Sequence, residues 1–276
     1  MEDISQKYRL LEKLAEGASG VVYRAQELAV PRQVAIKVLK AELQQDGDSV
    51  ERFRREVLAT NRLTHPAVVK IFDQGQLPNG NPWLAMELLE GITLEEELEQ
   101  RGPLSQKEFL ALLYPVCEIL AEAHDKGILH RDLKAHHIVL STLADGAVVP
   151  RVIDFGLAFL CDAETLTKSD MMAGTPQYMP PEQWDGLHMA DARSDIYSLG
   201  MIAYQCLAGH LPFEADSLLE WMKKHFHELP APLSRSVPDN HPLSPSLEHA
   251  VMKAISKDPA DRQQDMRELI QEWFSE

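Results

Sequence analysis

The chain has 276 residues and carries 27 Lys and Arg against 43 Asp and Glu, a formal net charge of −16 at pH 7. This acidity argues against a nucleic-acid-binding or lipid-binding protein, because both ligands attract a basic face. Apolar residues make up 45% and charged residues 25%, so a globular rather than a disordered chain is expected. The three cysteines are widely spaced and form neither a disulfide framework nor a metal motif, which fits a reducing compartment.

No segment of the sequence predicts export or membrane insertion. The N-terminus from Met1 to Leu14 is charged throughout and lacks a signal-peptide core. The most apolar stretch, Phe109 to Leu120, is interrupted by Pro115 and Glu118 and is too short to cross a bilayer. We therefore expect a cytoplasmic chain, either by itself or as the cytosolic domain of a longer membrane-anchored protein.

Short strands dominate the first part of the sequence. Apolar runs bounded by turn residues predict five of them, at Tyr8–Leu14, Val21–Glu27, Gln33–Leu39, Val68–Asp73 and Trp83–Leu88. A helix from about Asp48 to Leu63 interrupts the strands, since its apolar residues recur on one face. A short connector near Glu87 to Gly91 follows.

After Gly91 the pattern becomes helical. Ser105 and Glu108 predict a capping box at the start of a long helix that runs through His124. Further helices are predicted at Ser194–Ala208, Ser217–Phe226, Ser244–Ser256 and Asp261–Phe274, and a β-hairpin at Ile138–Leu140 and Val148–Ile153. The fold class is therefore α+β, with a small β-rich lobe containing one long helix and a larger, mainly helical lobe.

A glycine-containing loop lies between the first two predicted strands. In Glu16-Gly17-Ala18-Ser19-Gly20, the glycines let main-chain amides approach a phosphate, although a simple hairpin would also use them. Lys37 ends an apolar strand and could supply a positive charge to phosphates, with Glu56 as its acidic partner. The alternative is a lysine that reaches solvent from the strand edge.

Two aspartate-containing segments give a sharper signal. His130-Arg131-Asp132-Leu133-Lys134 is followed by Asp154-Phe155-Gly156, with 22 residues from the first aspartate to the second. Two aspartates on neighbouring loops can divide the work of phosphoryl transfer. One orients a hydroxyl nucleophile, and the other holds a cation on a phosphate.

These motifs, in this order, resemble the catalytic domain of a eukaryotic-type protein kinase, and the chain is most similar to bacterial Ser/Thr protein kinases. The resemblance extends from Tyr8 to about Phe274 and includes Phe53-Arg54-Arg55-Glu56 and Asp191-Ala192-Arg193-Ser194-Asp195. It implies a bilobal kinase fold over residues 1–276, with an N-terminal lobe of about 1–87, a hinge at about 87–91 and a C-terminal lobe of about 92–276. It also implies transfer of the γ-phosphate of ATP to Ser or Thr hydroxyls of protein substrates. These substrates include the chain's own activation segment, through self-association.

The resemblance assigns a role to each candidate residue. Lys37, paired with Glu56, would hold the α and β phosphates. Asp132 would orient the acceptor hydroxyl, and Lys134 would stabilise the transferred phosphoryl group. Asp154 and His137 would occupy the positions for Mg²⁺ or Mn²⁺. The expected ATP-binding positions are Leu14, Gly17, Gly20, Val22, Ala35, Lys37, Met86 (the gatekeeper), Glu87, Leu89 and Val139.

The long irregular stretch from Gly156 to Arg193 corresponds to the activation segment of the family. Its candidate regulatory hydroxyls are Thr165, Thr167, Ser169 and Thr175. Arg131 would receive a phosphate placed there, by a charge-assisted contact. By the same resemblance, Glu182 would pair with Arg262, and Asp195 would brace the catalytic loop.

His137 is the most serious departure, because the family has a metal-binding asparagine at this position. Imidazole suits Mn²⁺ or Zn²⁺ better than Mg²⁺, which prefers oxygen ligands. The alternative function is therefore a pseudokinase, a nucleotide-responsive interaction module with little or no transfer activity. A small-molecule phosphotransferase is a third possibility, against which the segment from Gly174 to Glu182 argues. Ala15 replaces the first glycine of the loop, a mild change if that residue is extended.

Overall fold

The structure is a computed structural model that describes residues 4–17, 20–39, 57, 60–142, 146–155, 176–238 and 240–275. These residues form a β-rich part followed by a mainly helical part, the bilobal α+β organisation that the sequence predicts. Most of the helix predicted from about Asp48 to Leu63 lies outside the described residues. Val57 and Thr60 are helical, whereas the described residues 61–63 are not, so the predicted end of this helix at Leu63 is wrong.

The first lobe is built on a five-stranded antiparallel sheet of strand order β1-β2-β3-β5-β4. Its strands are β1 (Tyr8–Glu16), β2 (Gly20–Glu27), β3 (Gln33–Leu39), β4 (Ile71–Gln76) and β5 (Pro82–Glu87), preceded by a short helix α1 (Ile4–Lys7). Strand β3 is central and almost entirely buried. Its register places Lys37 between Val22 of β2 and Leu84 of β5.

The predicted start of the fourth strand is wrong. Strand β4 begins at Ile71 rather than Val68, and Val68 forms only an isolated bridge to Val152. The N–H of Val68 donates to the carbonyl of His65 at 3.0 Å, which closes a turn there. The apolar side chains of Val68 and Val69 are buried at the junction with the second lobe. Burial thus gives these residues a strand-like pattern without a strand.

The second lobe is mainly helical. Its helices are α2 (Leu94–Arg101), α3 (Gln106–Asp125), α4 (Ala192–Ala208), α5 (Leu218–His227), α6 (Pro245–Ala254) and α7 (Met266–Phe274). The predicted capping box of Ser105 and Glu108 begins α3. Helix α4 is buried along nearly its whole length and packs against α3 and α6 in the main core. Among the helices described here, none is both long and apolar enough to cross a membrane.

Helices α1 and α2 have no counterpart among the predicted helices, and α7 begins later than predicted. Helix α2 was not predicted and begins with its own capping box, formed by Thr93 and Glu96. Helix α7 begins at Met266, five residues after the predicted start at Asp261. A 3-10 turn, Pro259–Asp261, ends where the helix was predicted to begin, and the side chain of Asp265 caps the helix instead. Local capping therefore overrides the apolar periodicity at this end.

A small antiparallel sheet lies at the start of the second lobe. It has the order β6 (Gly91–Thr93), β7 (Ile138–Thr142) and β8 (Val148–Val152), and β7 and β8 form the predicted hairpin. The hairpin positions the chemistry of the cleft, because the segment with Asp132 and Lys134 enters β7 and the segment with Asp154 leaves β8.

Candidate active site

A buried ion pair joins the two lobes across the cleft. Nζ of Lys37 on β3 lies 2.6 Å from Oδ2 of Asp154, and the two side chains are 6% and 15% exposed. Burial alone would raise the pKa of Asp154, but the nearby Lys37 ammonium outweighs it and holds that pKa well below its usual range. A full negative charge on Asp154 therefore lies beside the ammonium of Lys37. The carboxylate suits a metal ion, and the ammonium suits a phosphate. Glu56, the predicted partner of Lys37, lies outside the described residues.

Asp132 and Lys134 lie together at the mouth of the cleft. Nζ of Lys134 is 3.1 Å from Oδ2 of Asp132, whose side chain is one-third exposed. An incoming hydroxyl can therefore reach this carboxylate, whereas Asp154 is enclosed. The structure brings together Lys37, Asp154, Asp132 and Lys134, which were predicted from two distant parts of the sequence.

A buried carboxylate holds the segment from His130 to Lys134, called the catalytic loop. Asp195 of α4 accepts the main-chain N–H groups of His130 and Arg131, both at 2.8 Å, and lies 2.8 Å from Nε2 of His124. Arg131 has a φ of 65° and Asp154 a φ of 62°, unusual conformations for residues with side chains. Such strain persists only where surrounding bonds fix it, and the Asp195 bonds fix the first of these residues. The predicted bracing role of Asp195 is confirmed.

His137 lies between the two functional aspartates. Its Nδ1 is 2.7 Å from the main-chain oxygen of Asp132, and its Nε2 is 3.7 Å from Oδ2 of Asp154. A carbonyl oxygen only accepts hydrogen bonds, so Nδ1 carries the ring proton and Nε2 keeps a free lone pair. Burial, opposed by the carboxylates of Asp132 and Asp154, lowers the pKa of His137 to about 4. The imidazole is therefore neutral near pH 7 and able to act as a ligand.

The donor set beside Asp154 fits a divalent cation that other groups help to hold. The carboxylate of Asp154 and Nε2 of His137 supply one oxygen and one nitrogen donor. No group of three His, Cys, Asp or Glu side chains in the described parts of the chain forms a ready-made metal centre. A cation would therefore take its remaining ligands from a nucleotide or from water.

Four predicted nucleotide positions lie on strands that carry or adjoin the residues of the candidate site. Val22 lies on β2, Ala35 lies opposite Met86 in the sheet, and Val139 lies on β7. Leu14 is near the end of β1 and is exposed. Leu89 lies in the connector after β5.

The two described glycines of the glycine-containing loop are bonded to each other. The N–H of Gly17 donates to the carbonyl of Gly20 at 2.9 Å, while Ala18 and Ser19 lie outside the described residues. A Cβ atom at Gly20 would come within 2.2 Å of the Val38 carbonyl oxygen, so no side chain fits there. Ala15 is an ordinary residue of β1 paired with Val22, so its replacement of the family glycine is tolerated, as expected.

The hinge carries a contact that the sequence analysis missed. The guanidinium of Arg151 on β8 is ion-paired with the side chain of Glu87, and its Nη2 also donates to the carbonyl of Val68 at 3.2 Å. The N–H of Glu87 donates to the carbonyl of Lys70 at 2.8 Å. An arginine within a predicted buried strand was the available signal, because such a charge needs a partner.

The predicted Glu182–Arg262 pair is confirmed. Oxygen atoms of Glu182 lie 2.7 and 2.9 Å from the guanidinium of Arg262, whose side chain is completely buried. The neighbouring Gln183 donates to the main-chain oxygen of Arg131 at 3.1 Å and so links this segment to the catalytic loop. The regulatory candidates Thr165, Thr167, Ser169 and Thr175 lie outside the described residues.

A five-stranded sheet above a helical lobe, with a lysine–aspartate pair between them and a second such pair at the cleft mouth, defines a kinase-like phosphotransferase. The family model described as "Protein kinase domain" matches residues 8–274. The chain therefore belongs to the protein kinase domain family.

Proteins and structures similar to the chain agree with this assignment. It is 38% identical over 263 residues to Serine/threonine-protein kinase pkn3 of Myxococcus xanthus, which covers 94% of this chain and 48% of that protein. It is 38% identical over 273 residues to Serine/threonine-protein kinase PknB of Mycolicibacterium smegmatis, covering 97% and 42% respectively. The crystal structure of the Mycobacterium tuberculosis PknI kinase domain matches with a TM-score of 0.74 and 28% identity, over 97% of this chain and 95% of that one. The chain spans less than half the length of these two curated relatives.

Proposed function

We propose that this chain transfers the γ-phosphate of ATP to Ser or Thr hydroxyls of protein substrates. The observation that carries the proposal is the convergence of the Lys37–Asp154 pair, at 2.6 Å, and the Asp132–Lys134 pair, at 3.1 Å, in one cleft. The names of the relatives, Serine/threonine-protein kinases, support the choice of acceptor.

The residues divide the reaction between them. Asp132 accepts a hydrogen bond from the acceptor hydroxyl and takes its proton as the oxygen attacks the γ-phosphorus and the bond to the β-phosphate oxygen breaks. Lys134 is close enough to stabilise the negative charge of the transferred group, and Lys37 holds the remaining phosphates. A divalent cation held by Asp154 and His137 would supply further neutralisation of phosphate charge.

The cation is proposed to be Mn²⁺ in preference to Mg²⁺. Mg²⁺ favours octahedral oxygen ligands at short distances, whereas Mn²⁺ accepts an imidazole nitrogen readily. Nε2 of His137 is the nitrogen in question, since its partner Nδ1 is engaged by the main chain of Asp132.

Regulation is proposed to use the same transfer reaction. The proposed autophosphorylation positions are Thr165, Thr167, Ser169 and Thr175, reached when two copies of the chain associate, and Arg131 would receive the new phosphate.

The proposed donor, ATP, is a cytoplasmic metabolite, and Cys117 and Cys206 are free thiols, as a reducing compartment allows. A signalling role in the cytoplasm is therefore proposed.

The deciding experiment is transfer of labelled γ-phosphate to the chain itself and to a mixture of Ser- and Thr-containing peptides, with Mg²⁺ and Mn²⁺ compared. Asp132→Asn is expected to lower the rate by about 10³-fold or more with nucleotide binding nearly unchanged, because its role is confined to the acceptor. The matched control is Asp216→Asn, the same change at an exposed loop position, which should behave as wild type.

Nucleotide binding without transfer under either metal, for protein already phosphorylated on its activation segment, would overturn the proposal. The chain would then be a nucleotide-responsive pseudokinase. Label on phosphotyrosine rather than on phosphoserine or phosphothreonine would overturn only the choice of acceptor.

A further inference from the structure

A fully buried histidine packs beneath the segment from Pro176 to Gln183, called the docking segment below. Gln183 of this segment donates to the main-chain oxygen of Arg131, the residue before Asp132, so a protein substrate that presents its hydroxyl to Asp132 would lie against it. His225 is on α5 and is 0% exposed. Its ring packs against four aromatic rings at centroid distances of 5.6 to 6.3 Å, those of Trp184, Tyr197, Phe213 and Trp221. A leucine could fill the space between these aromatic rings. The two nitrogen atoms of the imidazole therefore need a separate explanation.

One of those polar atoms joins two helices, and both helices contact a third element. Nδ1 of His225 lies 2.8 Å from the hydroxyl of Tyr197 on α4. Helix α5, which carries His225, packs on the 3-10 turn Pro176–Tyr178. Nε2 of His225 is buried and forms no hydrogen bond with the described residues, although the Pro176 main chain opposes the fall of the pKa of His225. Helix α4 also holds this turn, since the hydroxyl of Ser198 donates to the carbonyl of Tyr178 at 2.9 Å.

Tyr197 extends the connection to the Glu182–Arg262 pair. The guanidinium of Arg262 lies over the Tyr197 ring, 4.7 Å from its centroid, in a cation–π contact. The segment from Pro176 to Glu182 is therefore fixed at one end by the ion pair and at the other by His225. Tyr197 lies between the two and contacts both.

The imidazole is held neutral in this position. Burial, followed by the charge of Lys257, lowers the pKa of His225 to about 3. The Lys257 ammonium lies over the Phe213 ring and donates to the carbonyl of Lys224 in α5, so it cannot move away freely. A neutral imidazole can share one directional hydrogen bond with a hydroxyl without placing a charge in the core.

We infer that His225 is a positioning residue for the protein substrate, whose hydrogen bond to Tyr197 fixes the turn Pro176–Tyr178 at the docking surface. This inference rests on the proposed function, since it concerns the acceptor and not the nucleotide. A hydrogen bond between helices sets their rotation more narrowly than apolar packing does, because it depends on angle as well as on distance. Loss of the bond should therefore weaken use of the protein substrate and spare ATP.

The test uses His225→Phe, Tyr197→Phe and the double variant. His225→Phe keeps the aromatic packing but leaves the Tyr197 hydroxyl buried without its partner, so it should lower thermal stability. The double variant removes both polar groups and should recover most of that stability. The KM for a peptide that the wild type phosphorylates should rise about tenfold in His225→Phe and stay raised in the double variant, with the KM for ATP within about twofold of wild type. Tyr204→Phe is the matched control, since it removes another buried hydroxyl of α4, bonded to Ser236 at 2.8 Å and away from the turn.

Hydrogen exchange of the Met179 and Gln183 amides gives a second readout that needs no activity. Both amides donate within the docking segment, to Pro176 and Pro180, and should exchange faster in His225→Phe and in the double variant than in Tyr204→Phe. A double variant that regains wild-type peptide KM and wild-type exchange would show that His225 serves stability alone. Failure of the proposed function can be told apart from failure of this inference. In the first case the wild type itself transfers no phosphate, and the exchange measurement still tests whether His225 fixes the docking segment.

Discussion

The guanidinium of Arg151 in the second lobe is ion-paired with the carboxylate of Glu87 at the end of β5, where the connector between the lobes begins. The same guanidinium holds the carbonyl of Val68, and the main chain of Glu87 is bonded to Lys70. Arg151 lies three residues before Asp154 on the path out of β8. One side chain thus connects Glu87, an expected ATP-binding position, to the strand that leads to Asp154, the proposed metal ligand.

The first prediction concerns Arg151→Met. Loss of the cation leaves the Glu87 carboxylate half-buried without its partner and frees the connector, so the KM for ATP should rise about fivefold to tenfold. The KM for peptide should not change. Arg151→Lys keeps a positive charge, but its shorter side chain must bring one ammonium to both acceptors that Nη2 contacts, so it should lie between wild type and Arg151→Met. Steady-state kinetics with ATP and peptide varied separately measure this, with exposed Arg235→Met as control. A fall in kcat at constant ATP KM would contradict the prediction.

The second prediction concerns Lys37→Met. Methionine keeps the aliphatic stem that packs in β3 and removes the charge that meets Asp154. Phosphate transfer should fall by about 10²-fold or more, because phosphate positioning depends on that charge. Circular dichroism should show an unchanged fold. Lys107→Met, at an exposed position of α3, is the control. Residual activity within threefold of wild type would remove Lys37 from the site.

The residues of the catalytic cleft could be predicted because each sits in a short local motif. Asp132 and Lys134 share one segment, and Asp154 begins another. Four of the five predicted strands also lie within two residues of their observed positions, because alternation and turn residues are local signals. Sequence periodicity could not show that β4 begins late, since Val68 is buried by packing between lobes and not by a strand.

The partners missed by the sequence analysis are those that fold topology alone brings together. Arg151 meets Glu87 across 64 residues, and His225 meets Tyr197 across 28. Neither contact has a spacing that recurs in a motif. A buried arginine or histidine indicates that a polar partner exists, yet the identity of the partner depends on packing.

The third prediction concerns His137→Asn. An amide oxygen in place of the imidazole nitrogen offers Mg²⁺ a ligand that it prefers, while the amide nitrogen can still donate to the main chain of Asp132. The ratio of the Mg²⁺-dependent rate to the Mn²⁺-dependent rate should therefore rise, by about tenfold as an order of magnitude. Transfer rates with each metal titrated separately measure the ratio, and exposed His210→Asn is the control. An unchanged ratio would mean that His137 is no ligand.

The fourth prediction concerns the Glu182–Arg262 pair. Arg262 is 1% exposed and also donates to the carbonyls of Ser256, Lys257 and Arg193. Arg262→Met leaves the Glu182 carboxylate buried and unpaired, which should lower the free energy of unfolding by about 3–5 kcal/mol. Glu182→Gln keeps hydrogen bonding to the guanidinium and should cost less. Urea unfolding of both single variants and the double variant gives the coupling free energy between Glu182 and Arg262. Additive losses would show that the two side chains act independently.

The last prediction concerns acid sensitivity and follows from His225. The pKa of this residue is lowered to about 3 in the folded chain, chiefly by burial and then by Lys257, while an unfolded histidine has a pKa of about 6.5. The unfolded state therefore binds the proton more tightly, and His225 makes the fold less stable as pH falls from 6.5 towards 3. At pH 5 the loss should be about 2 kcal/mol relative to pH 7.5. The double variant His225→Phe with Tyr197→Phe lacks this titration but keeps Lys257 and every other ionisable group except the Tyr197 phenol, which does not titrate below pH 9 in its buried site. Urea unfolding of wild type and double variant at both pH values isolates the effect, and equal losses of stability in the two proteins would show that another group sets the acid limit.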